Sequence, residues 1–308
     1  AAIDRGNAAL GTRTQVIRGI KGAHLVLRHD ALHERMNGRA FYFDDGKGRM
    51  VICLPVQDVV LVGTTEIEAS DPKDHSVSHA EITYLLGALN TLFDDLTVSE
   101  SNIVSVTSGI RPLQASSGSA TQAARDHALV RTEANGTPVW SLVGGKWTTF
   151  RSFAETATDA ILSGLGRARR ASTADRPYPG AAKLDLASLA KTPGLPTRRL
   201  EELRARYGAI ASDVATFCAT KPDAPIADAP SYSRREVEWL TYSRMPLTLE
   251  DMVLRRMNIV MTGRLTRAAL HDIAGTMAGV LGHGPEWIET QVQNCAEDDR
   301  ILWHGGKS

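Results

Sequence analysis

Apolar and polar positions alternate in short runs through the first half of the chain and repeat at helical spacing through the second. The stretch TQVIRGIKGAHLVLR (14–28) is rich in β-branched residues and interrupted at Gly22. RAFYFDD (39–45), RMVICLP (49–55) and DVVLVGTT (58–65) follow closely, with DDGKG and PVQD as turn signals between them. Links this short predict an antiparallel meander. In SHAEITYLLGALNTLF (78–93), Ser78 followed by Glu81 is a capping box, and Ile82, Leu85, Leu86 and Leu89 recur at helical spacing. NIVSVTSGI (102–110), DHALVRTE (126–133) and PVWSLVG (138–144) predict strands. TTFRSFAETATDAILSGL (148–165) predicts a helix with Phe153, Ala157, Ile161 and Leu162 on its apolar side.

Residues 164–196 shift to Gly, Ala, Pro and Arg, the composition of a linker. Beyond it, helices are predicted over roughly 197–219, 231–244, 248–261, 265–281 and 284–297, with TLED (248–251) as another N-cap signal. The expected organisation is an α+β or α/β part over 1–165, a linker over 166–196 and a helical domain over 197–308. The opening AAIDRGNAALGTRTQVIRGIKG enters almost directly into strand-like material and lacks an initial Met, so the chain is expected to be part of a longer protein.

Composition narrows the class. At 308 residues, with 43% hydrophobic and 23% charged positions, the chain is globular and long enough for roughly two domains. Lys+Arg and Asp+Glu both number 35, so no global charge points to nucleic acid. Cys53, Cys218 and Cys295 form no C-x-x-C pair, which argues against a disulfide framework or zinc site and suits a reducing compartment. No apolar run approaches the ~20 residues that span a bilayer. The expected location is the cytoplasm, with peripheral attachment to the inner face of the cell membrane left open.

Four stretches carry chemistry. In SLVGGKWTTFR (141–151), a strand ends in Gly144-Gly145, with Lys146 at the apparent start of a helix. Bare backbone, a helix N-terminus and a lysine suit an anionic or electron-rich ligand; a plain strand–turn–helix link explains the same residues. It is not a Walker loop, and no complete G-x-G-x-x-G occurs. In TSGIRPLQ (107–114), Gly109 permits a turn and Pro112 fixes the chain after Arg111, which suits either a bound carboxylate or phosphate or a surface ion pair. Arg125, in ARDHAL (124–129), is open to the same two readings. His24 stands in the otherwise apolar IKGAHLVL (20–27), as a core histidine or a general base. The remaining histidines of the first half lie in polar segments; His75 and His79 are separated by the Ser78 cap, which argues against a shared metal face.

The ordered set IRGIKGAHLVL, CLPVQDVVLVGTTE, SHAEITYLLGALN, SVTSGIRPL, ARDHALV and VGGKWTTFR resembles the FAD-dependent, quinone-linked glycerol-3-phosphate dehydrogenases, and EVEWLTYSRMPLTLEDMVLRR resembles their C-terminal domain. The likeness runs from about 14 to 265. It implies an antiparallel substrate-binding sheet with helices from a reductase-type flavoprotein fold, followed by a small all-α domain. It implies that the glycine fingerprint for the FAD pyrophosphate belongs to an N-terminal unit not among these residues, so that this chain alone is inactive. By the resemblance, the reaction is oxidation of sn-glycerol 3-phosphate to dihydroxyacetone phosphate, with FAD as cofactor and a membrane quinone as acceptor. His24 corresponds to the base or its orienting partner. Arg111 and Arg125 correspond to the arginines around the substrate. Gly144, Gly145, Lys146 and Thr148 correspond to the flavin contact, with Lys146 also near the substrate.

The chain departs from the family pattern in places. Trp147 and Phe150 stand where GGKLTTYR is common, GTTE replaces GTTD, and ARDH replaces TRDY. An amine or 2-hydroxy-acid oxidase of the same flavin fold and a non-catalytic C-terminal interaction module are the alternatives. The sequence leaves oligomeric state open, including a homodimer.

Overall fold

The computed structural model describes residues 2–71, 73–115, 127–184, 189, 192 and 194–305. Contacts divide the chain into two compact units. Unit 1 comprises Ala1–His24, Gly63–Val77 and Thr107–Arg176; unit 2 comprises Leu25–Val62, Ser78–Val106 and Pro177–Ser308.

The alternating runs form the expected strands: β1 (Ile17–Leu27), β2 (Phe41–Asp44), β3 (Met50–Val56), β4 (Val59–Gly63), β5 (Ile67–Glu68) and β6 (Ile103–Gln114). They make one sheet in the order β2-β3-β4-β1-β5, with β6 also paired to β1. β2 and β3 are antiparallel, from Phe41↔Cys53 to Asp44↔Met50. The DDGKG signal closes that hairpin because the Asp44 and Asp45 carboxylates accept the backbone N–H groups of Gly46 (2.7 Å), Lys47 (2.8 Å) and Arg49 (3.0 Å). β7 (His127–Ala134) and β8 (Thr137–Gly144) form a separate hairpin. Its two-residue loop is Asn135-Gly136, both at positive φ (51° and 77°), the conformation that matches the strand twist.

Within unit 2, α2 (Asp30–Met36) follows β1, and α3 (His79–Leu92) starts at the expected capping box: Ser78 Oγ accepts from Glu81 N, and the Glu81 carboxylate accepts from Ser78 N at 2.9 Å. Its Ile82, Leu85, Leu86 and Leu89 are buried, each worth about 1.5–3 kcal/mol over exposure. The helical part contains α5 (Thr197–Tyr207), α6 (Ala211–Ala219), α7 (Arg234–Arg244), α8 (Arg267–Leu281) and α9 (Pro285–Ala296). Val237, Leu240, Ile259, Leu270, Ile273 and Val292 belong to its main core. Glu236 is fully buried there and accepts from Arg199, Arg206 (2.9 Å) and the Tyr207 hydroxyl (2.6 Å).

Four local expectations change. The chain opens in a helix, α1 (Ile3–Ala9), before the first strand; the Asp4 carboxylate accepts from Thr14 Oγ1 (2.6 Å) and from the backbone of Val16 and Ile17, tying that helix to the start of β1. The predicted 197–219 helix is two, because Gly208 leaves the helical region at φ 55°. The 248–261 helix is a single turn, Leu249–Asp251, followed by a π-helical turn over Met252–Arg256 and a 3₁₀ turn over Ile259–Thr262. On α4 (Phe150–Gly164), Phe153 and Ala157 are buried as expected but Ile161 is exposed. Within unit 1, the stretch after α4 is held locally. Glu155 accepts from the backbone N–H and hydroxyl of Thr173 and from Ser172, and these bonds with the Arg169 charge bring its carboxyl down to about 2.

Candidate active site

The chemistry-bearing residues of unit 1 are organised by strand register. β5 runs antiparallel to β1 with Ile20↔Glu68 and Lys21↔Ile67. Continued one step, the register sets Glu66 opposite Gly22. One step further, Thr65 meets Ala23: Thr65 N donates to Ala23 O (3.2 Å), and Ala23 N donates to Thr65 Oγ1 (2.9 Å). Residues opposite each other share a face, as do residues two apart on a strand. Glu66, Gly22 and His24 therefore stand on one face, and Lys21 stands on the other, where its Nζ donates to Ser76 O at 2.9 Å.

Arg111 reaches that first face from β6. Its Nη1 donates to Glu66 Oε1 at 3.1 Å and its Nη2 to Thr65 O at 2.9 Å. The guanidinium lies across Gly22, where an added Cβ would come within 2.9 Å of Nη2 and 2.6 Å of Thr64 Oγ1. Gly63, at the end of β4, faces the His24 ring so closely that a Cβ there would overlap Cδ2 and Cγ and lie 2.9 Å from Nε2. Two absent side chains thus make room for one histidine and one arginine. Burial holds the His24 imidazole below the ordinary histidine range, and the nearby Arg111 charge lowers it further.

Arg111 is on a continuous strand, contrary to the turn expected at Gly109–Pro112. β6 runs unbroken to Gln114 and, among the described residues, pairs with β1 alone, so Pro112 sits on an edge strand, where its missing N–H breaks no second ladder. The clamp on Arg111 therefore comes from across the sheet. Arg125 lies outside the described residues.

Gly144, Gly145, Lys146 and Thr148 form a second group where β8 leaves its hairpin. Gly144 and Gly145 both take positive φ (70° and 90°), which explains why the strand ends in two glycines. The helix starts later than expected: a 3₁₀ turn covers Trp147–Thr149, and α4 begins at Phe150. Thr149 Oγ1 donates to Lys146 O at 3.0 Å and so closes this turn. Lys146 and Thr148 are exposed, and Trp147, 88% exposed, leans on the Phe150 ring at 5.7 Å. The described contacts of this group are local, including His127 stacked on Phe153 at 4.3 Å.

Sequence reasoning missed Glu66, Thr65 and Gly63. The one signal was GTTE, which stood out as a departure from a pattern and carried no assigned role. A cavity of about 720 Å³ lies in unit 2, lined by Leu195, Arg199, Thr220 and Tyr232 among others, and His24 and Arg111 do not line it. Its buried arginine, Arg199, is already engaged by Glu236 and Ser233, so the His24–Arg111 pair is the stronger chemical candidate.

Comparison with known proteins fits this architecture. The family model described as FAD dependent oxidoreductase matches residues 4–151, and that of the C-terminal domain of alpha-glycerophosphate oxidase matches residues 171–288. The X-ray structure of a glycerol-3-phosphate dehydrogenase from Bacillus halodurans, complexed with FAD, shares the fold, with a TM-score of 0.74 over 94% of this chain and 58% of that one at 21% identity. An antiparallel sheet with helices, followed by a helical C-terminal domain, is thus the fold of a FAD-dependent oxidoreductase. A glycerol-3-phosphate dehydrogenase of Mycobacterium leprae (strain TN) is 30% identical over 290 residues, 90% of this chain and 48% of that protein. The aerobic glycerol-3-phosphate dehydrogenase of Escherichia coli (strain K12) is 36% identical over 159 residues, 49% of this chain and 31% of that protein. Within that class, the chain is similar to glycerol-3-phosphate dehydrogenases along most of its length. It spans about half the length of the curated relatives it matches.

Proposed function

We propose that these residues form the substrate-facing part, the closing flavin contact and the C-terminal helical domain of an enzyme that oxidises sn-glycerol 3-phosphate to dihydroxyacetone phosphate. The division at 1–165, 166–196 and 197–308 belongs to the same proposal, as do a quinone acceptor and peripheral attachment at the inner face of the membrane. Among the described residues no helix is long and apolar enough to cross a membrane. The observation that carries the proposal is the seating of His24 and Arg111 beside one another, with room made by Gly22 and Gly63.

The residues fit the edge of a flavin. Gly144 and Gly145, both at positive φ, keep side chains out of the approach, while Lys146 offers a full positive charge and Thr148 an exposed hydroxyl. When bound, FAD supplies the acceptor for the C2 hydrogen and its electron pair. The chain's own residues do the rest. His24, held neutral by burial, takes the proton of the C2 hydroxyl at an imidazole nitrogen. Arg111 binds the substrate anion or polarises the oxygen that becomes the carbonyl, with Arg125 as a second cation. The FAD pyrophosphate is held by residues outside this sequence, so the isolated chain is expected to be colourless and inactive.

The test is reduction of a dye acceptor by the intact protein with glycerol 3-phosphate, glycine or 2-hydroxyglutarate, repeated with Arg111→Ala. Turnover confined to glycerol 3-phosphate and lost in the variant is expected. Turnover of glycine or 2-hydroxyglutarate alone overturns the assignment in favour of the oxidase reading. The match to the alpha-glycerophosphate oxidase C-terminal domain supports the first outcome.

A further inference from the structure

Glu66 has no role in the proposal above, yet its carboxylate accepts from the Arg111 guanidinium. Its side chain is only 15% exposed. Arg111 is gripped at both terminal nitrogens by consecutive residues, Glu66 through its carboxylate and Thr65 through its carbonyl. The grip is anchored to the sheet, since Thr65 exchanges two bonds with Ala23, the residue immediately before His24. A guanidinium tied by one bond swings; tied by two from a fixed edge, it holds one plane.

We propose that Glu66 is a positioning residue that holds the Arg111 guanidinium across Gly22 and partly neutralises its charge, so that His24 and Arg111 address one substrate without Arg111 overwhelming the histidine. This rests on the assignment of His24 and Arg111 given above. Among the described residues, the charged groups near His24 can be named. β6 contributes Arg111, the edge that continues β5 contributes Glu66 behind it, β4 contributes the bare Gly63, and Lys21 of β1 turns away to Ser76 and Asp74. Glu66 is the diagonal neighbour of His24 across the sheet, a separation of about 7–8 Å. At that range a unit charge moves a titration by about 0.4 of a pH unit even with full solvent screening.

The proposal is tested on the full 308-residue chain by titrating the His24 ring resonances by NMR, which requires neither flavin nor turnover. Glu66→Gln should lower the His24 midpoint by about 0.4 of a pH unit or more, Glu66→Asp should leave it near wild type, and Arg111→Gln should raise it. Circular dichroism and melting curves check that each variant is folded. A folded Glu66→Gln with an unmoved midpoint, or a Glu66→Asp that behaves like Glu66→Gln, overturns the proposal. In the intact protein, the acid limb of kcat/KM for glycerol 3-phosphate should follow the same order. A failure of turnover in every form would count against the enzyme assignment, while the titration result would still decide the role of Glu66.

Discussion

Gly22→Ala offers a sharp test of how this site is built, because it inserts one methyl group between β1 and the arginine. The backbone at Gly22 is not in the left-handed region, so alanine adopts it without strain. The new Cβ would lie 2.9 Å from Arg111 Nη2, 2.6 Å from Thr64 Oγ1 and 3.2 Å from Thr65 O. Ordinary contact begins near ~3.5 Å, so the guanidinium must retreat by roughly 0.6 Å while the threonine hydroxyl rotates away. The two closest groups are side-chain ends and the Thr65 carbonyl is the more distant of the three, so the sheet should survive. The retreat strains or breaks one of the two charged hydrogen bonds that fix Arg111, a loss of about 1.5–3 kcal/mol. The reduced freedom of the unfolded chain returns about 0.4–1 kcal/mol. A net loss of about 1–2 kcal/mol in stability is expected, a few degrees in melting temperature. The effect on chemistry should be larger in proportion, because misplacement of a binding group by about 1 Å costs on the order of 100-fold. The assay is kcat/KM of the intact protein for glycerol 3-phosphate with a dye acceptor, alongside thermal unfolding. A folded Gly22→Ala protein with wild-type kcat/KM would refute the placement of Arg111 over Gly22. Global unfolding would refute the claim that the sheet can absorb the added methyl group.

At Gly63 the added Cβ meets the His24 ring itself, so Gly63→Ala should displace the imidazole and shift its NMR resonances and titration; an unchanged His24 spectrum contradicts the described contact. In unit 2, Glu236→Ala strips the shared acceptor from Arg199, Arg206 and Tyr207, leaving the buried Arg199 with the longer Glu202 contact at 3.4 Å as its carboxylate partner and Arg206 without the carboxylate it shares. A loss of about 3–5 kcal/mol in urea unfolding is expected, and a loss below about 1 kcal/mol would show that water or another group takes over. For His24, the folded value lies below the ordinary ~6.5 of the unfolded chain. The unfolded state therefore binds the extra proton first, and stability is full above about pH 6.5 and falls as the pH drops toward the lowered folded value. Comparing wild type with His24→Gln in urea melts across pH 5–8 should show that slope (roughly the window of histidine titration), and the acid limb of kcat/KM should lie below 6.5; a limb above it contradicts a buried, neutral base.

Much of the fold was legible because it is written in short-range terms. The Ser78–Glu81 box, the DDGKG turn and the alternating runs each act over a few residues, and each produced the expected element. The failures were also local in form but tertiary in cause. Gly109–Pro112 looks like a turn in isolation, yet β1 pairs with that segment and keeps it extended to Gln114. The opening residues were expected to lead almost directly into a strand, but the Asp4 carboxylate accepts from the start of β1 and a helix precedes it.

The sequence by itself determined the resemblance to glycerol-3-phosphate dehydrogenases, the candidate residues His24, Arg111, Lys146 and the glycine pair, and most of the strands and helices along the chain. These follow from residue type and spacing, which a linear reading contains. Only the tertiary structure decided that Glu66 and Thr65, rather than a local turn, hold Arg111, and that Gly22 and Gly63 matter because of what lies above them. Arg111 is 45 positions from Glu66, and no periodicity along the chain encodes which carboxylate a guanidinium will meet once the sheet has set its register.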